Sequence, residues 1–376
     1  MAQRLELILK LTERCNIACS YCYYFENDEK TAFHRPARLT EAAAEKLIER
    51  LDDAFSSQQY ESIKIIFHGG EPLLYGKARF DALCGKLLER FAEKVSFCLQ
   101  TNAMLIDEEW IAYFEKYKIS VGVSIDGPAH IHNVHRFDKY GHPTHAAVVK
   151  GIQLLNDAFQ CNRITRLGAL VVIQNKTEPA EILEYLVNEL DLSHLDFLIP
   201  DQTWDNAQPT AWLGTYLEKL FHAWLQSDQE KISIRVLDST LSLLMGGPSY
   251  LGGFGPIQSN ALTILADGSI QGDDFLRPCG EEFLDLGVSV FNASLAQAEM
   301  LNKLRLKILE VDRLPDACQG CRFEKVCCGG QLTHRFSREN IFKNKSIYCN
   351  ELQHFYRAVE TTLMQSGFTK DQLATV

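Results

Sequence analysis

Short apolar runs alternate along the first half of the chain with longer segments in which apolar residues recur every three or four positions. The short runs predict buried strands at 5–11, 62–67, 95–100, 119–125, 165–173 and 195–199. The longer segments predict helices near 40–55, 77–94, 107–117, 145–159 and 178–190. Thr40 stands where an N-cap residue belongs, at the start of the first of these helices. Strands that alternate with helices in this way predict an α/β fold with a parallel sheet and right-handed crossovers.

Polar and glycine-rich sequences follow several of the predicted strands. A cysteine-containing loop comes after 5–11, His68-Gly69-Gly70-Glu71-Pro72 after 62–67, Thr101-Asn102 after 95–100, and Asp126-Gly127-Pro128 after 119–125. In α/β folds the carboxyl ends of the strands carry the active site. We therefore expect these sequences to contribute to one functional site.

The cysteine loop carries three thiols, Cys15, Cys19 and Cys22, in the spacing C-x3-C-x2-C. A cubane [4Fe–4S] cluster has four irons, so three thiolates would leave one iron open for another ligand. The alternatives are three unrelated thiols or a partial zinc site that lacks its fourth ligand. The spacing and the position at a strand end favour the cluster.

A second group of cysteines lies in the last third of the chain. Its members are Cys318, Cys321, Cys327 and Cys349. Four thiolates can complete the ligation of a [4Fe–4S] cluster or of a structural zinc ion, because soft thiolate sites accept either metal. Three further cysteines lie in helix or strand patterns and are interpreted as small buried hydrophobic residues, namely Cys84, Cys98 and Cys161.

Composition narrows the class of protein. Hydrophobic residues make up 46% of the 376 residues, which is enough for a packed core. The formal charge of −11 argues against a nucleic-acid-binding protein, which needs clustered Lys and Arg. Arg4, Glu6 and Lys10 interrupt any signal-peptide core, and we find no apolar run of membrane-spanning length. Twelve cysteines in such a chain indicate metal ligation in a reducing compartment, so we expect a cytoplasmic protein without a membrane partner.

The cysteine loop resembles that of the radical S-adenosylmethionine (radical SAM) enzymes. In that family the open iron binds the amino and carboxylate groups of SAM, and an electron from the cluster breaks a C–S bond to give a 5′-deoxyadenosyl radical. The resemblance implies a partial (β/α)6 barrel, here assigned to residues 1–235. It also implies SAM contacts from residues at the strand ends and in the cysteine loop: Gly69, Gly70 and Glu71 (amino group), Ser124 (ribose), Arg136 (carboxylate) and Tyr21 (adenine).

The second cysteine group resembles the SPASM domain of radical SAM peptide and protein maturases, here assigned to residues 236–376. A full SPASM domain holds two auxiliary clusters. This chain has Gln331 where a ligand of the second is expected, and only Cys279 and Cys328 remain nearby. The resemblance therefore implies one auxiliary [4Fe–4S] cluster. In sulfatase-maturing enzymes an acidic residue follows the cysteine that Cys279 resembles, whereas this chain has Gly280.

The sequence around Cys327 and Cys349 resembles a narrower group, the maturases of ribosomally made peptides (RiPP maturases) that form cyclophane cross-links. That resemblance implies a precursor peptide as substrate and an electron donor such as flavodoxin or ferredoxin. Asp273 and Asp274 are candidate bases for the proton lost when the ring regains aromaticity. Thioether formation, epimerisation and sulfatase-maturase-like oxidation are the enzymatic alternatives. An iron–sulfur electron carrier without catalysis is the non-enzymatic one.

Overall fold

The computed structural model describes residues 3–26, 31–207, 211–228, 230–252, 254–256 and 261–374. The chain divides into two compact units, the first comprising Met1–Ala169 and Asn260–Leu304 and the second Leu170–Ser259 and Arg305–Val376. The predicted domain boundary after residue 235 stays a prediction, and the two units are described by their own bounds.

The first unit is built on a sheet of mostly parallel strands. Its strands are β1 (Gln3–Thr12), β2 (Ile17–Cys19), β3 (Tyr60–Gly69), β4 (Val95–Thr101), β5 (Ser120–Ser124), β6 (Arg136–Asp138), β10 (Ala261–Ile264), β11 (Ser269–Gln271) and β12 (Asp285–Ser289). The sheet order is β12-β11-β10-β1-β3-β4-β5. From β10 to β5 neighbouring strands are parallel, whereas β11 and β12 add antiparallel edges. A separate two-stranded sheet joins β2 to β6.

Helices connect these parallel strands. They are α1 (Glu41–Ser56), α2 (Lys77–Phe91), α3 (Glu108–Lys116), α4 (Ala129–His135) and α5 (His145–Gln160). The N-cap of α1 is Thr40, as predicted, and its hydroxyl accepts a hydrogen bond from the Ala43 N–H. The strands from β3 to β5 alternate between fully buried residues and residues that are only partly buried. Because side chains alternate across a sheet, one face of these strands packs against the helices and the other stays accessible.

The second unit is mainly helical. It contains β8 (His194–Leu198), β9 (Ser233–Ile234), α6 (Pro179–Glu184), α7 (Leu213–Leu225), α8 (Arg235–Leu244), α10 (Glu324–Cys327), α11 (Leu332–Arg335) and α12 (Cys349–Gln365). The chain passes from one unit to the other within β7 (Arg166–Val172) and within α9 (Leu295–Ile308). Helices α7 and α12 touch closely at Gly214, where a Cβ would lie 2.7 Å from the Glu351 carbonyl oxygen.

The six strands predicted from the apolar runs are all present, with ends that differ by at most two residues. The helix predicted near 178–190 is shorter, because α6 gives way to a π-helical turn at Tyr185–Glu189. The remaining strands, which are all short, were not predicted; they are β2, β6, β9, β10, β11 and β12. Within the described ranges, none of the helices combines the length and the apolarity needed to cross a membrane.

Candidate active site and auxiliary cysteine pocket

The three-cysteine loop begins where β1 ends. Its middle cysteine lies in β2, which pairs with β6 so that Cys19 stands opposite Arg136. A tight turn follows, in which the Cys22 N–H donates to the Cys19 carbonyl at 3.0 Å. All three cysteines are free thiols. Burial raises the pKa of Cys15 to about 12 and that of Cys19 to about 11, and it also raises the pKa of Cys22. A metal cluster would therefore have to displace their protons on binding.

The glycine pair after β3 lies directly against this loop. The Gly70 N–H donates to the Thr12 carbonyl at 3.0 Å. A Cβ on Gly70 would lie 2.2 Å from the Arg14 carbonyl oxygen and 2.8 Å from the Cys15 nitrogen. Gly69 has φ +137°, a conformation that favours glycine. The structure thus brings Gly69 and Gly70 into contact with the cysteine loop, and only glycine fits there.

Glu71 joins the ends of two neighbouring strands through its side chain. Its carboxylate accepts hydrogen bonds from the Leu73 N–H at 3.1 Å, the Thr101 hydroxyl at 2.7 Å and the Asn102 N–H at 2.8 Å. Burial raises its pKa to about 7, although these donors oppose the shift. The side chain therefore holds the strand ends in register beside the glycine pair. Its contribution to SAM binding stays a prediction.

Asp126 and Arg136 form a buried pair beside Cys19, and the half-buried Tyr21 contacts both of them. Arg136 makes two hydrogen bonds to Asp126, from Nε at 3.0 Å and from Nη2 at 3.2 Å. The Tyr21 hydroxyl donates to the same carboxylate, and the Arg136 guanidinium lies 5.5 Å from the centre of the Tyr21 ring. Ser124, at the end of β5, accepts a hydrogen bond from Gln100 at 2.9 Å. Four of the predicted SAM contacts thus lie on or beside the cysteine loop, namely Tyr21, Arg136, Gly69 and Gly70.

A second buried network surrounds Asp274, one of the two candidate bases. Its carboxylate accepts hydrogen bonds from Lys10 at 2.6 Å, from the Tyr23 hydroxyl at 2.6 Å and from Arg277 at 3.1 Å. Burial alone would raise the pKa of Asp274, but the charges of Lys10 and Arg277 outweigh burial and hold it well below its ordinary value. Asp274 is therefore an ionised carboxylate with low proton affinity. The base role of Asp274 stays a prediction.

The other candidate base, Asp273, is half-buried and precedes the 3-10 turn at Asp274–Cys279. The sequence reasoning did not anticipate Lys10 and His68, which stand opposite each other on β1 and β3. The Lys10 ammonium lies 3.3 Å from His68 Nδ1. Lys10 is a lone lysine inside an apolar run, and this could have indicated the network, because a buried lysine needs a partner.

The four cysteines of the second unit line one pocket. Phe323, Glu324, Ser346 and Gln353 share its walls with Cys318, Cys321, Cys327 and Cys349. Burial raises the pKa of Cys327 to about 12, and the Gln353 amide lies 3.5 Å from the Cys349 sulfur. Nowhere in the described residues do three His, Cys, Asp or Glu side chains stand close enough to hold a single metal ion. A cubane, with its four irons apart, takes cysteine ligands that surround a larger space.

Cys328 and Cys279 are not among the described residues that line the four-cysteine pocket. Cys328 has a left-handed backbone conformation with φ 49°, and its thiol lies 3.5 Å from the Lys325 carbonyl oxygen. Cys279 is buried in the first unit.

Comparison with known proteins identifies the family. Residues 9–186 match the model of the Radical SAM superfamily, and this range contains the cysteine loop, the glycine pair and Arg136. The chain is a radical SAM enzyme. It is 28% identical over 358 residues to a serine-type anaerobic sulfatase-maturating enzyme of Bacteroides thetaiotaomicron, covering 86% of this chain and 81% of the relative. It is 26% identical over 366 residues to a cysteine-type anaerobic sulfatase-maturating enzyme of Clostridium perfringens, covering 93% and 94%.

Solved structures confirm the predicted α/β radical SAM fold. The structure of native anSMEcpe with bound AdoMet and the Cp18Cys peptide matches 97% of this chain and 99% of its own, with a TM-score of 0.82 at 23% identity. The radical SAM enzyme uses a [4Fe–4S] cluster and SAM, and the three free thiols beside a close-packed glycine pair fit that requirement. The four-cysteine pocket fits an auxiliary cluster of the SPASM type. The electron-carrier alternative is set aside.

Proposed function

We propose that this radical SAM enzyme removes two hydrogens from a ribosomally made peptide, one from a Cβ and one from a nearby aromatic ring, and that the product is a C–C cross-link between these two carbons. The observation that carries the proposal is the pairing of two cysteine sites of different kinds. The loop at Cys15–Cys22 offers three thiols, and the second pocket offers four. When bound, SAM and the cluster of the three-cysteine loop supply a carbon radical that abstracts hydrogen.

The residues of the chain support this oxidation in distinct ways. Gly69 and Gly70 allow the backbone after β3 to pack directly against the cysteine loop, because a Cβ at either position would overlap the backbone of Thr12 or Arg14. The group of Tyr21, Asp126 and Arg136 closes the loop on the Cys19 side. A substrate radical that attacks an aromatic ring must still lose one electron and one proton. A fully thiolate-ligated auxiliary cluster can take the electron.

The proton requires a carboxylate as its acceptor. Asp274 is a weak base because Lys10 and Arg277 bind its carboxylate. Asp273 is only half-buried, and we assign the proton to it. Asp274 then serves to fix the Tyr23 hydroxyl and the Lys10 ammonium at the end of β1.

A second candidate is the sulfatase-maturase-like oxidation of a serine or cysteine side chain, since the two relatives are named as serine-type and cysteine-type anaerobic sulfatase-maturating enzymes. One structural observation favours it. Gly280 replaces the acidic residue of the sulfatase-maturing enzymes, yet the Glu282 carboxylate lies 2.6 Å from where a Cβ on Gly280 would be. A carboxylate thus stands beside the position that the replaced side chain would occupy, and it could accept the proton of an aldehyde-forming oxidation.

Coexpression with a candidate precursor peptide separates these products. The cross-link and the oxidation of serine both predict loss of two hydrogens from the peptide. Oxidation of cysteine gives a thioaldehyde, which takes up water and releases hydrogen sulfide to form the same aldehyde. A cross-link gives a product that does not react with hydroxylamine and that resists backbone fragmentation between the linked residues. An aldehyde reacts with hydroxylamine and fragments normally. A product of unchanged mass that carries solvent deuterium would indicate epimerisation and contradict both.

Variants of Asp273 and Glu282 test independently which carboxylate accepts the proton. If the cross-link is formed with Asp273 as base, Asp273→Asn should lower product yield at least tenfold, while Glu282→Gln should leave it near the parent value. The reverse ranking would favour the aldehyde chemistry. Equal activity of both variants would contradict both assignments of the base.

A further inference from the structure

The small β2–β6 sheet places Arg136 opposite Cys19, one of the three cysteines proposed to hold the cluster. The two strands are antiparallel and place Cys19 directly opposite Arg136, with Ala18 opposite Phe137. A hydrogen bond from the Ser20 N–H to the His135 carbonyl at 3.0 Å continues this pairing. The position of Arg136 beside Cys19 is therefore fixed by the backbone and does not depend on a chosen side-chain rotamer.

The guanidinium has one edge bound to a carboxylate and another directed at a sulfur. Nε and Nη2 donate to the two oxygens of Asp126. The remaining nitrogen, Nη1, lies 3.9 Å from the Cys19 Sγ. Both side chains of the pair are almost fully buried, at 7% exposed for Arg136 and 0% for Asp126. Because Asp126 binds one edge of the planar guanidinium, Arg136 cannot rotate its Nη1 away from the Cys19 sulfur.

Cys15 has a similar neighbour without charge. The side-chain amide nitrogen of Asn102 lies 3.9 Å from the Cys15 Sγ. It donates a 2.8 Å hydrogen bond to the side-chain oxygen of Asn16, which holds it in place. Hydrogen bonds and positive charge at the ligand sulfurs stabilise the reduced, more negative form of an iron–sulfur cluster and so raise its reduction potential. Of the two donors, only Arg136 brings a full charge.

We propose that Arg136, clamped by Asp126, sets the reduction potential of the three-cysteine cluster through the Cys19 sulfur. Arg136 is then a positioning and charge-bearing neighbour of the cluster before SAM arrives. This inference rests on the cluster being held by Cys15, Cys19 and Cys22, and it is independent of which peptide is oxidised.

The test is a potentiometric titration of the reconstituted enzyme without SAM, followed by electron paramagnetic resonance. Adding SAM to a matched sample changes only the signal of the cluster with an open iron, which assigns that signal. Arg136→Gln should lower the equilibrium constant for reduction about tenfold, a shift of about 59 mV to more negative potential. Arg136→Lys keeps the charge and loses the fork, so its shift should be negative and smaller.

Arg163→Gln is the matched control. Arg163 is also bound to carboxylates, those of Glu108 and Glu115, but it lies at the surface, and its replacement should leave the midpoint unchanged. Midpoints of Arg136→Gln and Arg136→Lys equal to the parent value would overturn the proposal. So would a shift that appears only after SAM is added, because Arg136 would then act on SAM. If Arg136→Gln does not assemble a cluster, Arg136→Lys decides alone. A parent enzyme without any cluster signal would refute the proposed function instead.

Discussion

The ion pair between Lys10 and Asp274 gives the sharpest test of the buried network. Its charged atoms are 2.6 Å apart, and the two side chains are 0% and 6% exposed. Asp274→Asn leaves Lys10 and Arg277 buried without their shared carboxylate. Removing one partner of a buried pair costs about 3–5 kcal/mol, a large part of the 5–15 kcal/mol that typically separates folded from unfolded protein. We expect the unfolding temperature to fall by about 5 °C.

Two further variants show whether the loss comes from the pair. Lys10→Met leaves Asp274 bound to Arg277, so it should cost less, about 1–3 kcal/mol. The double variant should cost less than the sum of the two, with a coupling of about 0.5–3 kcal/mol. The measurement is urea unfolding at pH 7.5, followed by circular dichroism. This pH lies above the unfolded pKa of Asp274, so the stability from its depressed pKa is fully present there and is lost only in acid.

The control is an exposed pair with the same separation. Lys46 and Glu49 also lie 2.6 Å apart, but their side chains are 31% and 57% exposed. Glu49→Gln should change stability by less than about 1 kcal/mol, since water already screens this pair. If Asp274→Asn costs no more than Glu49→Gln, or if the double variant is strictly additive, the reasoning about the buried network is wrong.

Three other predictions follow from the same structure. Gly70→Ala should push the cysteine loop away and reduce 5′-deoxyadenosine formation at least tenfold, while Gly85→Ala, whose nearest neighbour is 3.4 Å away, should be tolerated. His132 is buried, and burial lowers its pKa from 6.5 to about 3, so unfolding takes up a proton below pH 6.5. Parent stability should therefore fall by about 1.4 kcal/mol more than that of His132→Gln between pH 7.5 and 5.5 in urea titrations, and equal losses would contradict this. Iron analysis of the reconstituted enzyme should give about eight irons, and about half of that after all three loop cysteines are replaced by Ala. Near twelve irons would instead bring Cys279 and Cys328 in as ligands.

The apolar runs predicted the central strands well because burial on the helix-packed face leaves a strong local signal, as in β3 and β4. The short strands β2 and β6 carry three residues each, too few for any periodicity. Their pairing decides where Arg136 lies. It depends on a contact between residues more than a hundred positions apart, which the local pattern does not contain.

The candidate site shows the same division. The cysteine spacing and the glycine pair were readable because ligand chemistry and close backbone contact demand those residue types. The roles of charged side chains were less readable, because a role depends on the partner. The sequence made Asp274 a candidate base, but Lys10, which lies 264 positions earlier, binds its carboxylate and makes it a fixed anion. Glu71 belongs to the predicted SAM motif, yet its carboxylate is bound by groups of two strand ends.

The most direct test of the account is SAM cleavage by the reconstituted enzyme with dithionite, in the absence of oxygen. We predict that the parent releases 5′-deoxyadenosine and that the variant Cys15→Ala/Cys19→Ala/Cys22→Ala releases none. The triple-alanine variant should retain the auxiliary cluster, so its inactivity would not reflect loss of all iron. A parent enzyme that carries its iron but yields no 5′-deoxyadenosine, or a triple variant that yields as much as the parent, would contradict the account.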